Sequence, residues 1–178
     1  MAAANGSEAS DAGYANIVKI EGDESLDHYL YRVQNTGRIV IIDYASSKRL
    51  EVPAKSSHVY EITFKNKICF VRPIDSRMRS DFLQTKIPAY TLSKANIEQA
   101  IGILGDAAGS GLYLLEIKSK TWERHMGFEL NIYLRDKTAV EILAELATAC
   151  HAGRVSLVAT LDGKDNRLTG VTGIMLFP

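Results

Sequence analysis

Apolar positions along this chain alternate between the three-to-four spacing of an amphipathic helix and the two-residue spacing of a strand, in three successive passes. The first runs from Ser25 through Leu26, Tyr29, Leu30 and Val33 to Gly37, then into apolar segments at 38–44 and 58–64. The second sets Ile97, Ala100, Ile101, Leu104 and Ala108 on one stripe, stops at Gly109-Ser110-Gly111, and continues into 112–117 and 128–134. The third places Val140, Leu143, Ala147 and Cys150 on one face, reaches Gly153, and gives strand-like segments at 155–161 and 172–177. Each pass predicts a helix, a glycine stop and a β-hairpin. The expected fold is therefore α+β, with antiparallel sheet or sheets built from three helix-then-hairpin units and the helices on one face.

Punctuation supports the boundaries. Ser25, Ser93 and Asp136 or Thr138 are candidate N-caps, and Thr138 with Glu141 has the spacing of a reciprocal capping box. Glycine after each helix permits the left-handed backbone that ends it. The polar run 162–166 reads as a hairpin turn. Unequal spacing between the helix starts argues against a strict repeat. Residues 67–72 add a further strand candidate to the first unit. The last strand, apolar on both faces at Ile174-Met175-Leu176-Phe177, is expected either in the sheet centre or on an edge available for pairing between subunits.

Composition narrows the class. With 178 residues, 46% hydrophobic and 24% charged, the chain has an ordinary globular balance. The Ala-, Ser- and Gly-rich stretch 1–16 is expected to be a mobile tail. Proline and charge mixed in 72–88 suggest a boundary, giving subdomains 17–90 and 91–178, or one continuous domain. No apolar run approaches the roughly 20 residues of a membrane span, and the start lacks signal-peptide character, so a cytoplasmic, non-membrane protein is expected. Two cysteines, Cys69 and Cys150, are too few for a disulfide framework and lack metal-motif spacing.

Zero net charge conceals an uneven distribution. Residues 1–29 hold one basic residue against six acidic ones, whereas 30–90 hold eleven against five. Lys48, Arg49, Lys65, Lys67, Arg72, Arg77 and Arg79 form a candidate anion or nucleic-acid site, with Tyr44 and Tyr60 available to stack on bases. The competing reading makes them solvated edge and turn charges, consistent with a pI near 6.9. The turn 118–127 carries the only tryptophan: Trp122, with Lys120 and Arg124 beside it, has the composition of a partner-binding hot spot. Alternatively, Trp122 folds back onto the sheet.

Other chemical signals are weak. His28, His58, His125 and His151 form no metal motif, so neither a metal nor another cofactor is expected. Cys150 and His151 are adjacent, which turns them about 100° apart on a helix and suits them poorly to act as nucleophile and base. His151 fits better beside a helix C-terminus. The glycines of 105–111 leave a helix rather than enter one, opposite to a phosphate loop. Glu141 and Glu145 read as helix-surface charges. The leading expectation is a non-catalytic interaction module or assembly subunit acting through hairpin tips and a sheet edge, with a protein partner or self-association. Nucleic-acid or nucleotide binding through 48–79 is the alternative, and an enzyme whose site converges only in three dimensions is the third.

Overall fold

The computed structural model describes residues 15–20, 30–46, 58–74, 81–109, 114–117, 129–161 and 168–177. Nine strands are found among them: β1 (Ala15–Ile20), β2 (Ile39–Ser46), β3 (His58–Lys65), β4 (Ile68–Pro73), β5 (Lys86–Ala95), β6 (Leu114–Ile117), β7 (Leu130–Thr138), β8 (Arg154–Leu161) and β9 (Leu168–Phe177). Residues 30–34 are helical (α1), a 3-10 turn covers Asp81–Gln84, and two longer helices follow, α2 (Ile97–Ala107) and α3 (Ala139–Ala149). The fold is α+β. Seven strands form one mixed sheet in the order β1-β3-β4-β2-β8-β9-β6, and β5 with β7 forms a separate antiparallel ribbon.

The mixed character comes from β2 and from one outer pair. β2 lies between β4 and β8 and is parallel to both, and β6 is parallel to β9, whereas β1–β3, β3–β4 and β8–β9 are antiparallel. Its run Val40-Ile41-Ile42 is buried throughout, as a strand covered on both faces requires. Ile41 joins Val155, Leu157, Ile174, Leu176 and the buried faces of α2, α3, β5 and β7 in the larger core. Val40 and Ile42 join Leu30 and Val33 of α1 with Tyr60, Ile62, Cys69 and Val71 in a second core on the opposite side.

Helices thus cover both faces of the sheet, in place of the one face expected, because β2 has apolar side chains on both. Of the three helix-then-hairpin units, the third holds: α3 is followed by the antiparallel pair β8–β9. In the first, β4 inserts between β2 and β3, so the hairpin is β3–β4. In the second, β6 and β7 belong to different sheets. The β2–β8 pairing places strands from both expected subdomains in one sheet. β1 begins at Ala15, inside the stretch expected as a tail, and β9 lies between β8 and β6, so the final strand is internal. Ser25 and the whole of the 162–166 turn lie outside the described residues.

Both long helices start with a reciprocal capping box. Asn96 and Gln99 cap α2, with Gln99 N–H donating to Asn96 Oδ1 at 2.8 Å and Asn96 N–H to Gln99 Oε1 at 2.9 Å. Ser93, the expected cap, lies within β5 instead. Thr138 and Glu141 cap α3, as the spacing predicts. A left-handed residue stands two positions before each cap, Lys94 at φ 52 and Asp136 at φ 51, turning the chain from strand into helix.

At the far ends, Gly37 and Gly109 adopt positive φ after α1 and α2, matching two of the expected stops. After α3 that conformation falls on His151 (φ 56) rather than Gly153. Its N–H donates to Thr148 O at 3.1 Å and Ala152 N–H donates to Ala147 O at 2.8 Å, the paired bonds of a Schellman ending. Burial of Ala152 at that point fixes the turn earlier than the glycine.

The α3 cap carries a stability test. Thr138→Ala removes the hydroxyl that accepts the Glu141 amide and is expected to lower the unfolding free energy by about 1 kcal/mol in urea denaturation. Backbone hydrogen bonding from Thr138, helped by Lys65, holds the Glu141 carboxyl below its ordinary 4.5. Because the folded value is the depressed one, this contribution is complete above pH 4.5 and is lost as pH falls through the folded value. Glu141→Gln, which has no carboxylate to titrate, is therefore expected to flatten the acid limb of stability against pH, whereas Thr138→Ala keeps the backbone N–H and should leave most of it in place.

Candidate interaction surface

The β5–β7 ribbon presents two unlike faces. On β7, Leu130 is buried and Ile132 and Leu134 pack against the larger core, while Asn131, Tyr133 and Arg135 point outward. On β5, Ile87, Tyr90, Leu92 and Ala95 are buried, and Ala89, Thr91 and Ser93 are exposed. The buried Tyr90 hydroxyl donates to Ala100 O at 2.7 Å and ties the ribbon to α2. Such a polar tip needs a partner once its ring is buried, and burial pushes its pKa upward.

Tyr133 is the centre of the outer face. It is 58% exposed, opposite Thr91 on β5, while Arg135 lies opposite Ala89. The Arg135 guanidinium sits 5.2 Å from the Tyr133 ring centroid, and its Nε donates to the Tyr133 hydroxyl. A rigid aromatic surface held by a cation has already given up much of the side-chain freedom that binding would otherwise cost. Small neighbours at Ala89, Thr91 and Ser93 leave both large side chains accessible.

Three of the seven predicted anion-binding cations lie among the described residues. Arg72 on β4 donates to Glu61 of β3 from Nη2 at 2.9 Å and from Nε at 3.0 Å, and its guanidinium lies 5.9 Å from the Phe70 ring. Lys65 at the end of β3 pairs with Glu141 at 3.2 Å. Lys67 is exposed in the β3–β4 turn. Two of these charges thus have carboxylate partners on neighbouring elements. Lys48, Arg49, Arg77 and Arg79 lie outside the described residues, as do Trp122, Lys120 and Arg124. Of the two candidate stacking tyrosines, Tyr60 is buried in the second core.

Asp43 escaped the sequence reading. It is 1% exposed on β2, opposite Leu157 of β8 and near the carboxyl end of the parallel trio β4-β2-β8. Its position inside an apolar strand was the available signal, since a charged group there must be built into the fold. Among the described residues, no group of three or more His, Cys, Asp or Glu side chains is arranged to hold a metal ion. No helix among them is long and apolar enough to cross a membrane. Comparison with protein-family models, curated proteins and solved structures returned no match.

The thiols are built for packing. Burial pushes Cys69 up to about 12 against a smaller lowering by Arg38, and burial also raises Cys150. Neither is a thiolate at neutral pH, so neither is suited to nucleophilic attack. In the native protein, a disulfide reagent at pH 7.5 is expected to label half-buried Cys150 slowly and fully buried Cys69 more slowly still. Both should react within minutes once the chain is unfolded in guanidinium.

Proposed function

We propose that this chain is a non-catalytic interaction module that receives a protein partner on the outer face and open edge of the β5–β7 ribbon. The observation supporting this reading is the Tyr133–Arg135 pair: a largely exposed aromatic ring, steadied by a guanidinium and bordered by small side chains. Tyrosine and arginine supply a disproportionate share of interface energy because each combines a large apolar surface with directed polar groups. The two-stranded ribbon also offers main-chain donors and acceptors along its outer edges, the raw material of strand addition. The segment bearing Lys120, Trp122 and Arg124 is proposed as a second contact region.

Comparative pull-down with quantitative mass spectrometry tests the reading. Tyr133→Ala and Arg135→Ala are each expected to weaken capture of the cognate partner by about tenfold or more, the loss typical of an interface hot spot. Unfolding free energies should remain within about 0.5 kcal/mol of wild type, because both side chains are exposed. Partner capture unchanged in both variants would place the interface elsewhere.

A further inference from the structure

We propose that β7 pairs antiparallel with β7 of a second copy of this chain, in a register centred on Ile132, forming a continuous four-stranded sheet from two ribbons. This rests on the interaction-module reading and names its partner as the chain itself.

The open edges of the ribbon are not equivalent. Along β5, Pro88 has no amide proton to donate and Lys94 is left-handed, so the strand is interrupted near both ends. By contrast, 129–135 contains no proline and no positive-φ residue, and it ends at the left-handed Asp136. Among the described residues, β7 has one hydrogen-bonded neighbour, β5. Among the described residues no strand lies on its other edge, a seven-residue run of main-chain donors and acceptors.

Side chains select the register. A two-fold axis at Ile132 sets Glu129 opposite Arg135 of the second copy, Leu130 opposite Leu134, Asn131 opposite Tyr133, and Ile132 opposite itself. Opposite charges meet at both ends of the paired segment. Leu130, Ile132 and Leu134 continue the apolar underside, where Ile132 and Leu134 are only partly covered in the single chain. The exposed residues 129, 131, 133 and 135 remain together on the outer face.

Neighbouring registers lose this match. An axis at Tyr133 sets Leu130 against Asp136, and one at Asn131 moves Arg135 away from Glu129. Half-step registers put outward residues against inward ones. Parallel in-register pairing would face Glu129 with Glu129 and Arg135 with Arg135, and like charges directly opposite repel. The antiparallel arrangement is isologous, so it consumes the same edge on both chains and closes as a dimer.

Sedimentation velocity on the full 19.6-kDa chain and its charge variants tests the register. Wild type is expected to dimerise. Glu129→Lys sets Lys against Arg135, and Arg135→Glu sets Glu against Glu129, twice in each dimer, so each variant alone is expected to raise the dimer dissociation constant about tenfold. An equimolar mixture of the two variants should restore dimers, since both cross-strand pairs are then opposite in charge. The double variant should do the same, a rescue that misfolding could not produce.

Single variants that dimerise as wild type, or a mixture that stays monomeric, would overturn the register. A monomeric wild type that still captures a Tyr133-dependent partner would overturn self-pairing and leave the interaction-module reading standing. A monomer that captures nothing would remove both.

Discussion

Both faces of β2 must be covered, and much of the architecture follows from that constraint. Val40, Ile41 and Ile42 are consecutive and buried, so their side chains enter two separate apolar layers. A sheet whose middle strand is apolar on both sides is stable only when something packs on each. On one side α1 supplies Leu30 and Val33; on the other, α2, α3 and the ribbon supply the larger core. Parallel neighbours at β4 and β8 then satisfy the backbone of the strand on both edges.

The larger layer repeats a device. Strands β5 and β7 each end in a left-handed residue, one intervening residue, a capping residue and an eleven-residue helix. The recurrence is strand-then-helix. A sharp turn immediately before the cap lets a helix fold back against the strand that precedes it without a long connection, which keeps the ribbon's buried side against the helices. Its opposite side is left to solvent, and this is why Tyr133 and Arg135 are displayed.

Where a feature was set by neighbours in sequence, it was legible. The α3 capping box, the stop at Gly37, the β8–β9 hairpin and the strand at 68–73 all rest on local rules that pattern alone can express. Pairing between distant strands is different. β2 and β3 follow one another, yet β4 separates them, and no local signal records a parallel partner. β5 was hidden because its buried positions, 87, 90, 92 and 95, do not keep a two-residue period and Pro88 interrupts it. Ser93 resembled a helix start for the same reason.

The candidate surface was legible only in part. The apolar period in 128–134 marked a strand, but exposure of Tyr133 depends on which element lies beside it. The basic segment shows the converse: Lys65 and Arg72 gain carboxylate partners from α3 and β3, and the first of these, Glu141, lies 76 residues away. Charge counted along the chain could not anticipate that neutralisation.

The pairing of Val40 with Arg154 spans over a hundred residues, and it closes one edge of the strand at the centre of the sheet. Such a contact pays its loop-closure entropy before it is rewarded, so assembly of this sheet is a late, nonlocal event. During synthesis, an apolar strand made in the first quarter of the chain waits for a partner in the last. Over that interval the edge that β8 will occupy has main-chain donors and acceptors without their final partner, the condition under which an incomplete sheet pairs with other strands.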